Sequence, residues 1–302
     1  MAEYILGIDT SNYRTSVALI DRSGNIVLNH RELLSVPHGE RGLRQSEAFF
    51  QHVLRLPDII GRFMDYRSEI AGISVSTRPR PIEGSYMPCF MAGYSFAKAL
   101  ASSLDVPLTE VSHQEGHIEA IRYSIGIDGD DTVFFHFSGG TTEAILKGEI
   151  IGGTGDIAYG QLIDRVGVKA GYKFPAGEAL DEVASYAAET SSCLTGIKLK
   201  DGFVNLSGIE TQALKAVSEG DNSALIRELF EKISKSILDM TKYISEKHSV
   251  TKFIFAGGVS CSAYLRNYLG NHMPEQIEYH FGDAELSGDN AVGVAFLGLK
   301  EI

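Results

Sequence analysis

A chain of 302 residues has room for about two domains, and its 44% hydrophobic and 22% charged content is that of an ordinary globular protein able to bury sizeable cores. A net charge of −12 speaks against a protein that grips nucleic acid alone, because such binding rests on a basic face. No long apolar run and no basic-then-apolar leader is present, so neither a membrane span nor a signal peptide is expected.

The predicted elements begin with an apolar strand over 4–9, a polar turn over 10–14, a second strand over 15–21 and a third over 25–30 after Ser23-Gly24, an antiparallel meander. A helix with apolar positions Phe49, Phe50, Val53, Leu54, Ile59, Ile60 and Phe63 follows, and Pro57 is expected to interrupt it or start it afresh. A strand over 70–76, a Pro/Gly loop, a helix around 90–103 and a short strand over 107–111 come next. The pattern then restarts with a strand over 132–137, a turn at Ser138-Gly139-Gly140-Thr141, strands over 142–147 and 149–152, helices, and a strand over 252–256 that ends in Gly257-Gly258. Two meanders of one layout, each followed by helices, predict an α/β fold of two duplicated lobes around a cleft. The expected lobes are 1–125, joined by a final helix over 289–302, and 126–288.

Chemistry is suggested at a few places. His113 and His117 stand four residues apart, a spacing that on a helix puts both imidazoles on one face, where they can share a metal or merely be solvated or capping. Glu115 falls off that face, so the pair lacks the general base of a zinc-protease helix. Ser138-Gly139-Gly140-Thr141 offers backbone N–H groups and hydroxyls to a phosphate, or is only a turn. Ala256-Gly257-Gly258-Val259-Ser260, a strand running through glycines into a helix, would let an adenosine lie on bare backbone, or would serve tight strand–helix packing. Asp9 at the end of the first strand and Asp164 in a helix are candidate cleft carboxylates, while Asp289, taken alone, reads as a helix N-cap. The three scattered cysteines, Cys89, Cys193 and Cys261, have no metal or redox spacing and point to reduced thiols in a cytoplasmic setting.

Taken in order, these segments resemble the TsaD family of tRNA threonylcarbamoyladenosine synthases over nearly the whole chain. His113-Gln114-Glu115-Gly116-His117 is similar to the family's H-x-E-G-H, and Phe137-Ser138-Gly139-Gly140-Thr141-Thr142-Glu143 to V-S-G-G-[HN]-T-Q. Ile163-Asp164 with Phe174-Pro175-Ala176-Gly177 is similar to F-D…Y-P-G-G, and Ala256-Gly257-Gly258-Val259-Ser260 with Leu265-Arg266 to A-G-G-V-[SA]-x-N-x-x-L-R. Ser287-Gly288-Asp289-Asn290 resembles C-T-D-N. The resemblance implies an actin-like ATPase fold and a divalent metal, iron or zinc, on His113, His117 and Asp289; at His136, near where some members of the family place a metal-contacting tyrosine, the expectation is an extra ligand or a strand histidine held in the core. It also implies an adenylate, ATP, AMP or acyl-adenylate, contacted by Ser138, Gly139, Gly140, Thr141, Asp164, Gly177, Gly257, Gly258 and Ser262. The implied reaction is transfer of a threonylcarbamoyl-type acyl group to the amine of a tRNA adenosine, with partner subunits, in a homo- or heterodimer, helping to hold the RNA.

Departures from the family pattern fall where chemistry is expected. The family's E-T-S-C-D-E-T-G becomes Asp9-Thr10-Ser11-Asn12-Tyr13-Arg14-Thr15-Ser16, so Asp9 and Arg14 are the candidate catalytic positions and Arg14 reverses a charge. The A-G-P-G-L-V-G-A loop becomes a longer stretch carrying Arg78 and Arg80, the one short basic cluster, and the nucleotide-side asparagine becomes Ser262. The expectation is a diverged paralogue with an altered, more anionic substrate or a lost transfer step. A non-catalytic nucleotide-binding scaffold and a phosphotransferase or ATPase of the same fold are the other readings.

Overall fold

The computed structural model describes residues 3–36, 42–126, 131–137, 140–283 and 290–302, together with Leu286 and Gly288. The described chain forms two compact units, one built from 3–36, 42–126 and the stretch from Leu286 to the C-terminus, the other from 131–137 and 140–283. Leu286 and Gly288, expected in the second lobe, belong to the first, because Leu286 is buried beside Ala291, Val292, Ala295 and Phe296.

In the first unit β1 (Tyr4–Thr10), β2 (Arg14–Asp21) and β3 (Ile26–Leu33) form an antiparallel meander. β4 (Ile70–Arg78) and β5 (Leu108–Ser112) add in parallel on the other side of β1, giving the order β3-β2-β1-β4-β5. Alternation along the strands sorts side chains to two faces. Leu6, Ile8, Val17 and Leu19 pack with residues of α1 (Gln45–Gly61) and α2 (Phe90–Leu104), whereas Ile5, Ala18 and Ile20 cluster with the last helix, α9 (Val292–Lys300). α3 (His113–Ile125) follows β5 directly.

Two readings of α1 are corrected. The helix runs unbroken through Pro57, which is exposed on its solvent side, where water can satisfy the carbonyl that loses its partner. Phe50 and Leu54 are 57% and 59% exposed, so they are not core; the buried register is Ala48, His52, Leu56, Ile59 and Ile60.

The second unit repeats the plan. β6 (Thr132–Phe137), β7 (Thr142–Leu146) and β8 (Glu149–Thr154) form a meander, and β11 (Lys252–Ala256) and β12 (Glu278–Phe281) add in parallel beside β6. Order and strand sense match those of the first sheet, and a short hairpin of β9 (Leu199–Lys200) and β10 (Phe203–Val204) extends the edge beyond β8. α4 (Tyr159–Lys169), α5 (Gly177–Tyr186), α6 (Ser207–Ala216), α7 (Ser223–His248) and α8 (Ala263–His272) supply the rest. Phe135 stacks on Phe255 with ring centres 5.1 Å apart at the heart of this core. Among the described residues no helix is long and apolar enough to cross a membrane.

Candidate functional site

The start of α3 is fixed by its own sequence. Ser112 is the N-cap: its Oγ accepts from the Glu115 N–H at 3.2 Å, and Glu115 Oε2 accepts from the Ser112 N–H at 2.7 Å. Glu115 is thereby occupied as half of a capping box. His113 and His117 then lie one turn apart with rings edge to face, 4.4 Å between centres, and their Nε2 atoms are 3.0 Å apart. Two imidazole nitrogens this close together are donors that suit a shared divalent metal. Among the described residues no cluster of three or more His, Cys, Asp or Glu converges in this way. Asp289, the ligand implied by the resemblance, lies outside the described residues, as do Ser138 and Gly139.

Asp9, on β1, is fully buried. Its Oδ1 accepts from His113 Nδ1 at 2.8 Å and from Ser76 Oγ at 2.5 Å, and its Oδ2 is buried with no hydrogen-bond partner among the described residues. Arg14 opens β2 half-buried, and its Nη1 lies against Gly288, where an added Cβ would stand 3.4 Å from it. The turn between Asp9 and Arg14 is held by a histidine that sequence reasoning missed. His52 of α1 is fully buried, with Nε2 2.8 Å from the Ser11 carbonyl and Nδ1 2.8 Å from Thr15 Oγ1. A carbonyl only accepts, so Nε2 carries the proton and the Thr15 hydroxyl donates to Nδ1. Burial pushes the His52 pKa down to about 4, against the opposing pull of the Ser11 carbonyl and Asp9. The loop of Arg78 and Arg80 is tied to α3, since the Gln114 N–H donates to the Pro79 carbonyl at 3.0 Å.

The second unit contains a cavity of 480 Å³ lined by Ile163, Asp164, Gly177, Asp181, Gly258 and Ser262, among others. Four residues singled out from the sequence, Asp164, Gly177, Gly258 and Ser262, thus line one cavity. Asp164 accepts from the Ala176 N–H at 2.7 Å, and burial raises its pKa while this bond and one from the Gly177 N–H pull it down. Ser262 is the N-cap of α8; its Oγ accepts from Leu265 N–H and donates to Asp181, whose carboxylate also takes the Ala263 and Tyr264 N–H groups at 2.7 and 3.1 Å. Asp181 was not foreseen: its partners lie some eighty positions away, and nothing local marks it. Gly257 has φ +89°, and a Cβ there would meet the Phe137 carbonyl at 2.3 Å, so its glycine serves the close approach of β11 to β6. His136, on β6, is buried with Nδ1 3.3 Å from Thr141 Oγ1. Gly177 faces open space: among the described residues nothing lies within 4 Å of an added Cβ.

Against this geometry, the family model described as TsaD, tRNA N6-adenosine threonylcarbamoyltransferase, matches residues 36–296. A "Probable bifunctional tRNA threonylcarbamoyladenosine biosynthesis protein" of Methanothermobacter thermautotrophicus is 30% identical over 97% of the chain, which spans only 55% of that relative. A tRNA N6-adenosine threonylcarbamoyltransferase of Pyrobaculum calidifontis is 28% identical over 98% of the chain and 87% of its own length. Among solved structures, component A of the (R)-2-hydroxyglutaryl-CoA dehydratase of Acidaminococcus fermentans superposes with a TM-score of 0.61 at 12% identity, covering 99% of this chain and 98% of its own. That likeness speaks for the fold alone, which is the actin-like ATPase fold.

Proposed function

The chain belongs to the TsaD family, and from that premise we propose that it transfers an acyl group of the threonylcarbamoyl type from an acyl-adenylate to the amine of a tRNA adenosine, with a donor more anionic than the family's usual one. The observation that carries this reading is the pair of Nε2 atoms of His113 and His117, 3.0 Å apart on one face of α3. A scaffold that only bound a nucleotide would have no use for such a pair. His113 and His117 would hold the metal, with Asp289 as a third ligand. When bound, a divalent metal supplies Lewis-acid polarisation of the transferring carbonyl.

The chain's own residues account for the rest of the reading. The cavity of 480 Å³ in the second unit would take the adenosine, with Asp164 accepting from ribose hydroxyls and Gly177 and Gly258 keeping its wall bare. Gly140 and Thr141 would face the phosphates together with Ser138 and Gly139. Arg14 cannot act as a base, because its guanidinium stays charged; its planar donors suit a carboxylate or a phosphate. Given the net charge of −12, RNA would be held with the help of partner subunits.

The test is reconstitution with unmodified tRNA, the family's usual partner proteins and either threonylcarbamoyl-adenylate or the corresponding adenylate made from aspartate or glutamate, read by nucleoside mass spectrometry. The acidic donor, with its second carboxylate, is expected to be used at least tenfold faster, and the His113→Ala/His117→Ala variant to lose transfer from both. Equal or better use of the threonine donor would overturn the altered-donor reading, and no transfer from any donor would overturn the transferase.

A further inference from the structure

On β1, Asp9 pairs with Ser16 of β2, one residue past the last β1–β4 pair of Ile8 with Val75, and none of its side chain is exposed. Burying a carboxylate is costly unless donors meet it. Two do, and on the same oxygen: Ser76 Oγ at 2.5 Å and His113 Nδ1 at 2.8 Å. An ionised carboxylate only accepts, so Nδ1 of His113 carries a proton, and in the neutral ring that a metal ligand must be the lone pair is on Nε2. That Nε2 is the atom standing 3.0 Å from His117 Nε2.

We infer that Asp9 is a positioning residue for the metal-holding pair: with Ser76 behind it, it selects the Nδ1–H tautomer of His113, aims its Nε2 at the ion and raises its donor strength. The inference rests on the metal-binding reading of His113 and His117 given above. It changes the part that sequence reasoning gave Asp9, because a carboxylate with no exposed surface and two donors on one oxygen acts through His113 and not on substrate. Carboxylates that accept from the far nitrogen of a ligating histidine commonly contribute tenfold to a hundredfold in metal affinity.

Cobalt(II) titration of the full chain, followed by its visible absorption, tests this. Asp9→Asn keeps the volume of the side chain but removes the charge and lets an amide NH2 face Nδ1; its cobalt Kd is expected to rise by about tenfold to a hundredfold with near-ultraviolet circular dichroism unchanged. Ser76→Ala, which frees Asp9 to turn, is expected to weaken cobalt several-fold. Nitrogen-15 spectra of the metal-free protein should show His113 protonated on Nδ1 in the wild type and losing that preference in Asp9→Asn, a signature that a merely structural role would not move. Cobalt affinity within twofold of wild type in Asp9→Asn would overturn the inference while leaving the metal site standing. Should Asp9→Asn fail to fold, an unchanged Kd in Ser76→Ala overturns it and a several-fold rise supports it. Wild-type protein that takes no cobalt, or a His113→Ala/His117→Ala variant that binds it as well as wild type, would overturn the metal reading and this inference together.

Discussion

Arg14 stands at the first residue of β2, half-buried with its guanidinium against Gly288, one position before the aspartate that resembles the family's metal ligand. If this cation selects the donor, reversing its charge should reverse the preference. Arg14→Glu is expected to lower use of an acidic-amino-acid donor at least tenfold and to raise use of the threonine donor; steady-state rates with both donors check it, and an unaltered ratio would remove Arg14 from the specificity argument. His52 makes a different prediction, about pH. Its pKa lies near 4 in the folded chain against 6.5 when unburied, so between those values the unfolded state binds the extra proton and stability falls as pH drops. The loss should reach about 2 kcal/mol by pH 5 and on the order of 3 kcal/mol below pH 4. Urea unfolding at pH 7, 5 and 4 measures it, and His52→Gln, which cannot titrate, should flatten that part of the curve. Parallel curves for the two proteins would mean that His52 is not the group responsible. Of these residues, His113 and His117 were legible from spacing alone and Arg14 from the motif it breaks. His52 was not, since its partners Ser11 and Thr15 stand 41 and 37 positions away and only folding joins them.

Helix α3 presents its histidines because both its start and its back are fixed. The start is the Ser112–Glu115 capping box, which a sequence can reveal. The back is a close crossing with α9, where a Cβ on Gly293 would fall 1.8 Å from the Gly116 carbonyl and one on Gly116 would meet Val294 at 2.8 Å. Gly293→Ala must therefore push the helices apart. A cost of about 3 kcal/mol is expected from such overpacking, together with weaker metal binding as α3 shifts; thermal unfolding and a cobalt titration would show both effects, and a stability within about 0.5 kcal/mol of wild type would mean the crossing yields easily. Helix α1 teaches the reverse lesson. Its apolar letters at Phe49, Phe50 and Leu54 suggested a core face, yet burial follows Ala48, His52, Leu56, Ile59 and Ile60, a register set by what the sheet and α2 offer to pack against.

The whole chain is one plan used twice, a meander extended by two parallel strands, with a ligand-sized cavity in the second copy. If that cavity and the Gly140 turn receive an adenylate, filling either should lower AMP affinity without harming the fold. Gly177 suits this test, because among the described residues an added Cβ meets nothing within 4 Å and its φ is not positive, while Gly140 tests the turn itself. Gly140→Val and Gly177→Val are each expected to weaken AMP at least tenfold, about 1.4 kcal/mol, by calorimetry. Unchanged affinity in Gly177→Val would place the adenosine elsewhere, and unchanged affinity in Gly140→Val would leave that segment a simple turn.

The repeated meander, the paired histidines and the glycines after the strands were determined by the sequence itself, because strand alternation, the i, i+4 helical spacing and glycine's conformational freedom are local properties. Tertiary structure alone decided which carboxylate backs His113, which histidine holds the Asp9–Arg14 turn and which aspartate accepts from the first N–H groups of α8. Those contacts join residues 104, 41 and 82 positions apart. No short-range pattern encodes them, since a buried polar group finds its partner only when packing has closed the water out and left one donor or acceptor within reach.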